Sequence, residues 1–213
     1  MPEILIAPQL REYLDSLVPE RPEEVMTMEK YARDHSFPII GPAAGQLCYL
    51  LARLIGAKRV FEMGSGYGYS TYWFAKAVQE NGGGEVHHVV WDDKLSMQAR
   101  QHLARLGVGP LIKWHVSEAI ETLKQTEGPF DIIFVDIDKS AYPDALMPIE
   151  AKLRTGGIMI VDNMLWSGRI FDRMDQDPNT KGVRALTRLM GTKTNWITSL
   201  VPIRDGLMVA TKR

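Results

Sequence analysis

The chain has 213 residues, 45% of them hydrophobic and 24% charged, an ordinary globular composition with enough length to bury one substantial core. A formal net charge of −1 provides no general field to draw it to nucleic acid or an anionic membrane surface. The single cysteine, Cys48, excludes an internal disulfide and a multi-cysteine zinc site, and no run approaches the roughly 20 apolar residues of a membrane span. These features fit one domain, 1–213, acting on a small molecule in the cytoplasm. The opening MPEILIAPQLREYLDSL interleaves Glu3, Arg11, Glu12 and Asp15 with apolar residues and lacks the apolar run of a signal peptide.

From Ile4 to Ile55 apolar residues recur at helical intervals, punctuated by Pro8, Pro19, Pro22, Pro38 and Pro42, which predicts a helical preface over 1–57. From residue 58 onward short apolar runs alternate with helical ones, the pattern of βαβ units in an α/β sheet core, 58–213. Strands are expected at Arg59 to Met63, Val86 to Trp91, Ile112 to Val116, Phe130 to Val135 and Ile158 to Val161. Thr71, Phe74, Ala75 and Val78 share one helical face, and Leu95, Ala99, Leu103 and Leu106 another, so both segments can cover the sheet. A polar loop, Asp172 to Lys181, precedes an expected helix from Gly182 to Met190. Trp196 to Leu200 and Leu207 to Thr211 then form a closing hairpin.

The first strand runs into Glu62-Met63-Gly64-Ser65-Gly66-Tyr67-Gly68-Tyr69-Ser70-Thr71. Glycines in a strand-to-helix turn let the backbone approach a ligand closely, and the free N–H groups of the helix start favour anionic or carbonyl groups. Tyr69 stands where a dinucleotide fingerprint needs glycine or alanine, and no Lys-Ser or Lys-Thr pair closes the loop for a nucleoside triphosphate. S-adenosylmethionine, which has no phosphate, tolerates both absences. Glu62 would sit near its cationic amino-acid portion. At the end of the second strand Asp92 either accepts hydrogen bonds from the ribose hydroxyls or caps the helix that follows.

Two further strand ends bear acids: Val135-Asp136-Ile137-Asp138-Lys139 and Val161-Asp162-Asn163-Met164-Leu165-Trp166. Neighbouring parallel strands lie about 4.8 Å apart, so Asp136, Asp162 and Asn163 can converge on one point. An all-oxygen set suits magnesium, manganese or calcium rather than zinc or copper. An ortho-diol on such an ion would have its hydroxyl pKa lowered, and Lys139 is the candidate base. A solvated Asp138–Lys139 pair and a simple Asp162-Asn163 turn are the bland alternatives. Trp166 can wall an aromatic pocket. The five histidines show no metal-ligand spacing, and adjacent His87 and His88 must point to opposite faces of a strand.

In four segments the chain resembles the cation-dependent class I O-methyltransferases, the caffeoyl-coenzyme A and catechol O-methyltransferases and their bacterial relatives. These are GPAAGQLCYLLARLIGAKRVFEMGSGYGYST, FDIIFVDIDKSAY, GGIMIVDNMLWSGRI and LVPIRDGLMVATKR. The resemblance implies a Rossmann-like methyltransferase fold, a seven-stranded, mostly parallel sheet with a reversed last strand. It also implies metal binding by Asp136, Asp162 and Asn163, with Lys139 as base. Glu62, Gly64 and Ser70 match positions that contact the methionine part of the cofactor, and Glu118 with Ala119 those that contact adenine; a homodimer is usual. Val90 stands where the family has its ribose-binding acid, and Ser117-Glu118 replaces its Gly-Asp. The expected reaction is methyl transfer to a hydroxyl of a phenolic, catechol-like small molecule. A methyltransferase for amino nitrogen or nucleic acid, or a non-catalytic cofactor-binding protein, are the alternatives.

Overall fold

The computed structural model describes residues 7–213; the Ile4 start of the expected preface lies outside them. The preface consists of α1 (Pro8–Ser16), α2 (Glu23–Asp34) and α3 (Gly41–Leu54). Proline in the first turn starts α1 and α3, where a missing N–H is harmless. In α2, Glu23 and Glu24 open the helix and Arg33 closes it, each complementing the helix dipole. Its buried residues, Val25, Met28, Glu29 and Ala32, fall on one face.

The sheet core follows as β1 (Arg59–Met63), α4 (Tyr69–Glu80), β2 (Glu85–Val90), α5 (Asp93–Arg105), β3 (Ile112–Val116), α6 (Ala119–Gln125), β4 (Phe130–Val135), α7 (Tyr142–Lys152), β5 (Leu153–Val161), α8 (Pro178–Thr192), β6 (Trp196–Val201) and β7 (Leu207–Lys212). The strand order is β3-β2-β1-β4-β5-β7-β6. All neighbours are parallel except β7, which runs antiparallel to both β5 and β6. This is the expected seven-stranded sheet with one reversed strand. Successive residues of a strand face opposite sides, so Val60, Phe134 and Ile160 enter one core with Trp73 and Phe74. Phe61, Ile133 and Val161 enter a second core with Leu123, Tyr142 and Ile149. Gly45 lets α3 and α4 touch, because a Cβ there would lie 2.2 Å from Trp73 Nε1.

Several of the expected boundaries shift. β2 stops at Val90, leaving Trp91 73% exposed, and β5 begins at Leu153 because Leu153 already pairs with Phe130, ahead of an irregular register that resumes at Ile132 and Ile158. α8 begins at Pro178 rather than Gly182, since Asp177 accepts a hydrogen bond from Asn179 N at 2.8 Å and proline occupies the first turn. The polar loop is correspondingly shorter. Among the described residues no helix is long and apolar enough to cross a membrane.

One buried cluster ties the preface to the sheet. Glu29, 5% exposed, accepts from Arg21 Nε at 2.7 Å, from Arg21 Nη2 at 3.2 Å and from the Tyr69 hydroxyl at 2.9 Å. Tyr67 OH adds a bond of 2.9 Å to Met28 O. Replacing Glu29 with Ala strands a guanidinium and a phenol. The expected loss is about 2–3 kcal/mol of stability in urea unfolding, reduced from the full buried-pair value because Arg21 is partly exposed.

Candidate active site

The order of the sheet reverses between β1 and β4, and in such sheets ligands bind outside the carboxyl ends of the strands at that point. The turn after β1 makes the opening. Gly64 has φ +87°, and a Cβ on it would lie 2.1 Å from the Asp136 carbonyl oxygen, so only glycine lets β1 and β4 leave the sheet side by side. Gly64 N and Ser65 N both donate to Val89 O, at 3.2 and 2.9 Å, and Val89 N donates to Ser65 Oγ at 3.0 Å. The loop is thereby fastened to β2 before the chain enters α4.

Over these strand ends lies a cavity of about 460 Å³, a size suited to a small cofactor. Its wall includes Gly64, Ser65, Gly66, Tyr67 and Ser70 from the loop and Asp92 after β2. Glu118 and Ala119 after β3, then Asp136 and Lys139 after β4, complete the part expected from the sequence. Phe37, Ile39 and Ile40 close it from the preface, and Val90, Trp91 and Leu95 line it beside Asp92. The sequence did not single out these residues as cavity walls, because nothing in an apolar residue between two helices marks the cavity it will face. Glu62, Asp162, Asn163 and Trp166 lie outside this wall.

Asp92 and Glu118 both cap helices. Asp92 Oδ1 accepts from Lys94 N at 2.8 Å and from Leu95 N at 3.2 Å, while Glu118 accepts from Ile120 N at 3.0 Å and Glu121 N at 2.7 Å. The cap reading of Asp92 therefore holds, with Oδ2 left outside it. Glu62 is fully buried beneath the loop rather than at the cavity surface; Thr71 Oγ1 donates to its Oε2 at 2.5 Å, and its Oε1 has no hydrogen-bond partner in the protein. Burial pushes its carboxyl up to about 7, with the hydroxyls of Ser70, Thr71 and Ser65 opposing that in part.

The acids of β4 and β5 come together as neighbours. Val135 pairs with Val161, so Asp136 and Asp162 each follow the last paired residue of their strand, and Asp162 N donates to Val135 O at 3.0 Å. Lys139 Nζ lies 2.8 Å from Asp136 Oδ1, so its partner is Asp136 and not Asp138. Asp162, 1% exposed, accepts from Asn163 N at 2.7 Å on Oδ1 and from Arg204 Nη1 at 2.8 Å on Oδ2. Burial raises its pKa and Arg204 opposes that rise. Asn163 Nδ2 donates to Asp205 Oδ2 at 3.0 Å, which directs its amide and leaves Oδ1 available. Trp166 is fixed by a bond of 3.1 Å from Nε1 to Thr180 Oγ1, and Lys139 Nζ stands 5.8 Å from its ring centre.

Arg204 and Asp205 are the residues that sequence reasoning passed over. They lie in the quoted LVPIRDGLMVATKR segment, and only the antiparallel return of β7 beside β5 brings them to Asp162 and Asn163. The divergence of His87 and His88 is as expected, since His88 faces Thr71 and Trp114 while His87 stacks on His115 and Phe61. His87 Nδ1 and His115 Nε2 are nevertheless 3.0 Å apart across β2 and β3, a contact invisible in linear spacing. Among the described residues no three of His, Cys, Asp and Glu gather as a metal-ligand group, so a cation here would need Asn163 as a protein donor.

The chain is similar to known O-methyltransferases. Residues 19–213 match the sequence profile of a family described as O-methyltransferase. A catechol O-methyltransferase of Niastella koreensis is 31% identical over 159 residues, spanning 73% of this chain and 71% of that protein. The O-methyltransferase TomG of Streptomyces achromogenes, involved in tomaymycin synthesis and solved in complex with SAM, is 26% identical and superposes with a TM-score of 0.85 over 96% of both chains. An O-methyltransferase of Bacillus cereus in complex with SAH, 23% identical, shares the fold with a TM-score of 0.86 over 96% of this chain and 97% of its own.

The Glu62 carboxyl titrates near 7 in the folded chain and near 4.5 when unfolded, so the folded state binds more protons between those values. Stability from this group is present below about pH 4.5 and is lost as pH rises through about 7. Glu62→Gln is expected to gain on the wild type by about 2–3 kcal/mol across that window, read from urea unfolding at pH 4.5 and pH 8. Parallel pH profiles for the two proteins would disprove the assignment.

Proposed function

This chain belongs to the O-methyltransferase family, and from that premise we propose that it moves a methyl group from S-adenosylmethionine to one hydroxyl of an ortho-dihydroxylated aromatic small molecule. The single observation that carries this reading is the register of β4 and β5, which sets Asp136, Asp162 and Asn163 at adjoining strand ends beside the cavity and beside Lys139.

The cavity over the glycine loop would hold the cofactor. Gly64, Ser65, Gly66, Tyr67 and Ser70 would surround its amino-acid portion, with the Glu62 carboxyl buried behind them. Asp92, in the cavity wall with Oδ2 outside its cap, would take the ribose in place of an acid at Val90. Glu118 and Ala119 lie against adenine.

Asp136, Asp162 and the Asn163 carbonyl make a hard oxygen donor set, and the turning of the Asn163 amide by Asp205 suits it to a cation. Bound there, magnesium, manganese or calcium would supply positive charge that stabilises the acceptor oxyanion. Lys139 accepts the hydroxyl proton as the free amine, which requires its ion pair with Asp136 to open. The acceptor oxygen then forms its bond to the methyl carbon as the carbon–sulfur bond breaks, and the electron pair leaves on sulfur. Positioning of the two reactants supplies most of the acceleration. Trp166 offers an apolar face for an aromatic ring next to Lys139.

A second copy of the chain would cover α1, which has no buried residue and exposes Leu10, Tyr13 and the adjoining Leu17. Sedimentation of the wild type as a dimer and of a Tyr13→Glu, Leu17→Glu protein as a monomer is the expected result.

The test of the reaction is methylation of a catechol panel after complete chelation. The rate should fall by about 10²–10³-fold and return with added magnesium or manganese. Lys139→Met should lower kcat by about 10²–10⁴-fold while leaving cofactor affinity in calorimetry near that of the wild type. Full activity in the chelated enzyme would remove the cation from the reaction.

A further inference from the structure

The turn joining β6 to β7 places Arg204, Asp205 and Gly206 against the end of β5. Leu165 N donates to Asp205 O at 2.8 Å, Met164 N to Gly206 O at 3.0 Å and Ser167 N to Asp205 Oδ1 at 2.6 Å, so the turn is bound to this segment along its length. Arg204 reaches Asp162 from a backbone at φ +51°, in the left-handed region that a residue with a Cβ occupies only where its surroundings hold it. Of the five non-glycine residues with positive φ among the described residues, four, Asn163, Trp166, Ser167 and Arg204, belong to these two facing segments. Such strain clusters at functional sites.

Two of the three acids there already have a cation. Asp162 has Arg204 at 2.8 Å and Asp136 has Lys139 at 2.8 Å, while Asp205 is engaged by Asn163 and Ser167. The two cations differ in kind. Lys139 lines the large cavity and can withdraw along a flexible stem, whereas Arg204 lines a separate cavity of about 160 Å³ with Arg11 and Asp15, on a backbone tied to β5. A guanidinium also never loses its charge in a protein. Any divalent ion sharing Asp162 therefore meets a fixed positive charge on the same carboxylate.

Resting on the cation reading above, we infer that Arg204 is a resident counter-cation that competes with the divalent ion for Asp162 and keeps that ion weakly held and exchangeable. It keeps the buried carboxylate compensated when the ion is away and weakens the site when the ion arrives. The opposite role, a guanidinium that merely orients Asp162 as a ligand, predicts the opposite sign on substitution.

The experiment is titration of the full-length protein with Mn²⁺ alone, followed by the electron paramagnetic resonance of the free ion and by calorimetry. Arg204→Gly, which also suits the positive φ, should bind Mn²⁺ about tenfold or more tightly than the wild type, and Arg204→Lys, which keeps the charge, should stay near it. Adding Asp162→Asn to Arg204→Gly should abolish the gain. If Arg204→Gly does not fold by circular dichroism, Arg204→Gln carries the same expectation. Equal or weaker binding by the uncharged variant overturns the inference alone. No Mn²⁺ binding in any variant, or binding that Asp162→Asn leaves intact, overturns it together with the cation reading.

Discussion

Each acid at this site follows the last paired residue of a parallel strand and is anchored by its own backbone N–H to the neighbouring strand: Asp136 N to Met63 O at 2.8 Å, and Asp162 N to Val135 O at 3.0 Å. The ladder thus continues one residue past the strands, and that single extra rung places the side chains. A shift of one residue in the β1–β4–β5 register would turn both carboxylates into an apolar core, where an uncompensated charge is strongly unfavourable. The position of the candidate site is therefore inseparable from the packing of Val60, Phe61, Ile132 and Ile133, which fixes that register.

The preface completes the site rather than decorating it. Strand ends alone would leave the cavity open on one side, and Phe37, Ile39 and Ile40 close it. Their placement depends on α2, which the Glu29 cluster joins to Tyr69 at the start of α4. Because Tyr69 directly follows the glycine loop, the tie that seats the cover also fixes the loop. A buried charged network is a weak source of net stability but a strong source of specificity when each member is satisfied. Here it joins two segments distant in the chain that face one cavity.

What the sequence disclosed follows from the range of the interactions concerned. The runs Arg59–Met63, Ile112–Val116 and Phe130–Val135 read correctly to the residue, because each is rich in β-branched and aromatic residues and stops where a polar or glycine-bearing turn begins. The glycine loop was legible for a similar reason, its close approach to Asp136 being possible only without a Cβ. The start of α8 was also written locally, in Asp177-Pro178, but was assigned to a loop because the polar residues around it outweighed the cap and the proline. Arg204 and Asp205 were of another kind. Nothing near them in the chain hints at a partner more than forty positions earlier, and only the reversed strand supplies the contact.

That reversed strand is what gives the acceptor side its charge balance. With β7 antiparallel to β5, the turn that precedes β7 lies beside the end of β5, so the sheet delivers Asp136 and Asp162 from one direction and Arg204 from the other. Asp136, Asp162 and Asp205 face Lys139 and Arg204, leaving one net negative charge in a setting where Asp162 has almost no contact with water. A site with a large uncompensated negative charge would bind a divalent ion tightly but would also oppose the phenolate on which methyl transfer depends. A site with none would have little to attract the ion. Near-balance, maintained by one flexible cation and one fixed one, allows the acceptor oxygen to gain negative charge in the transition state without crowding against three fixed carboxylates.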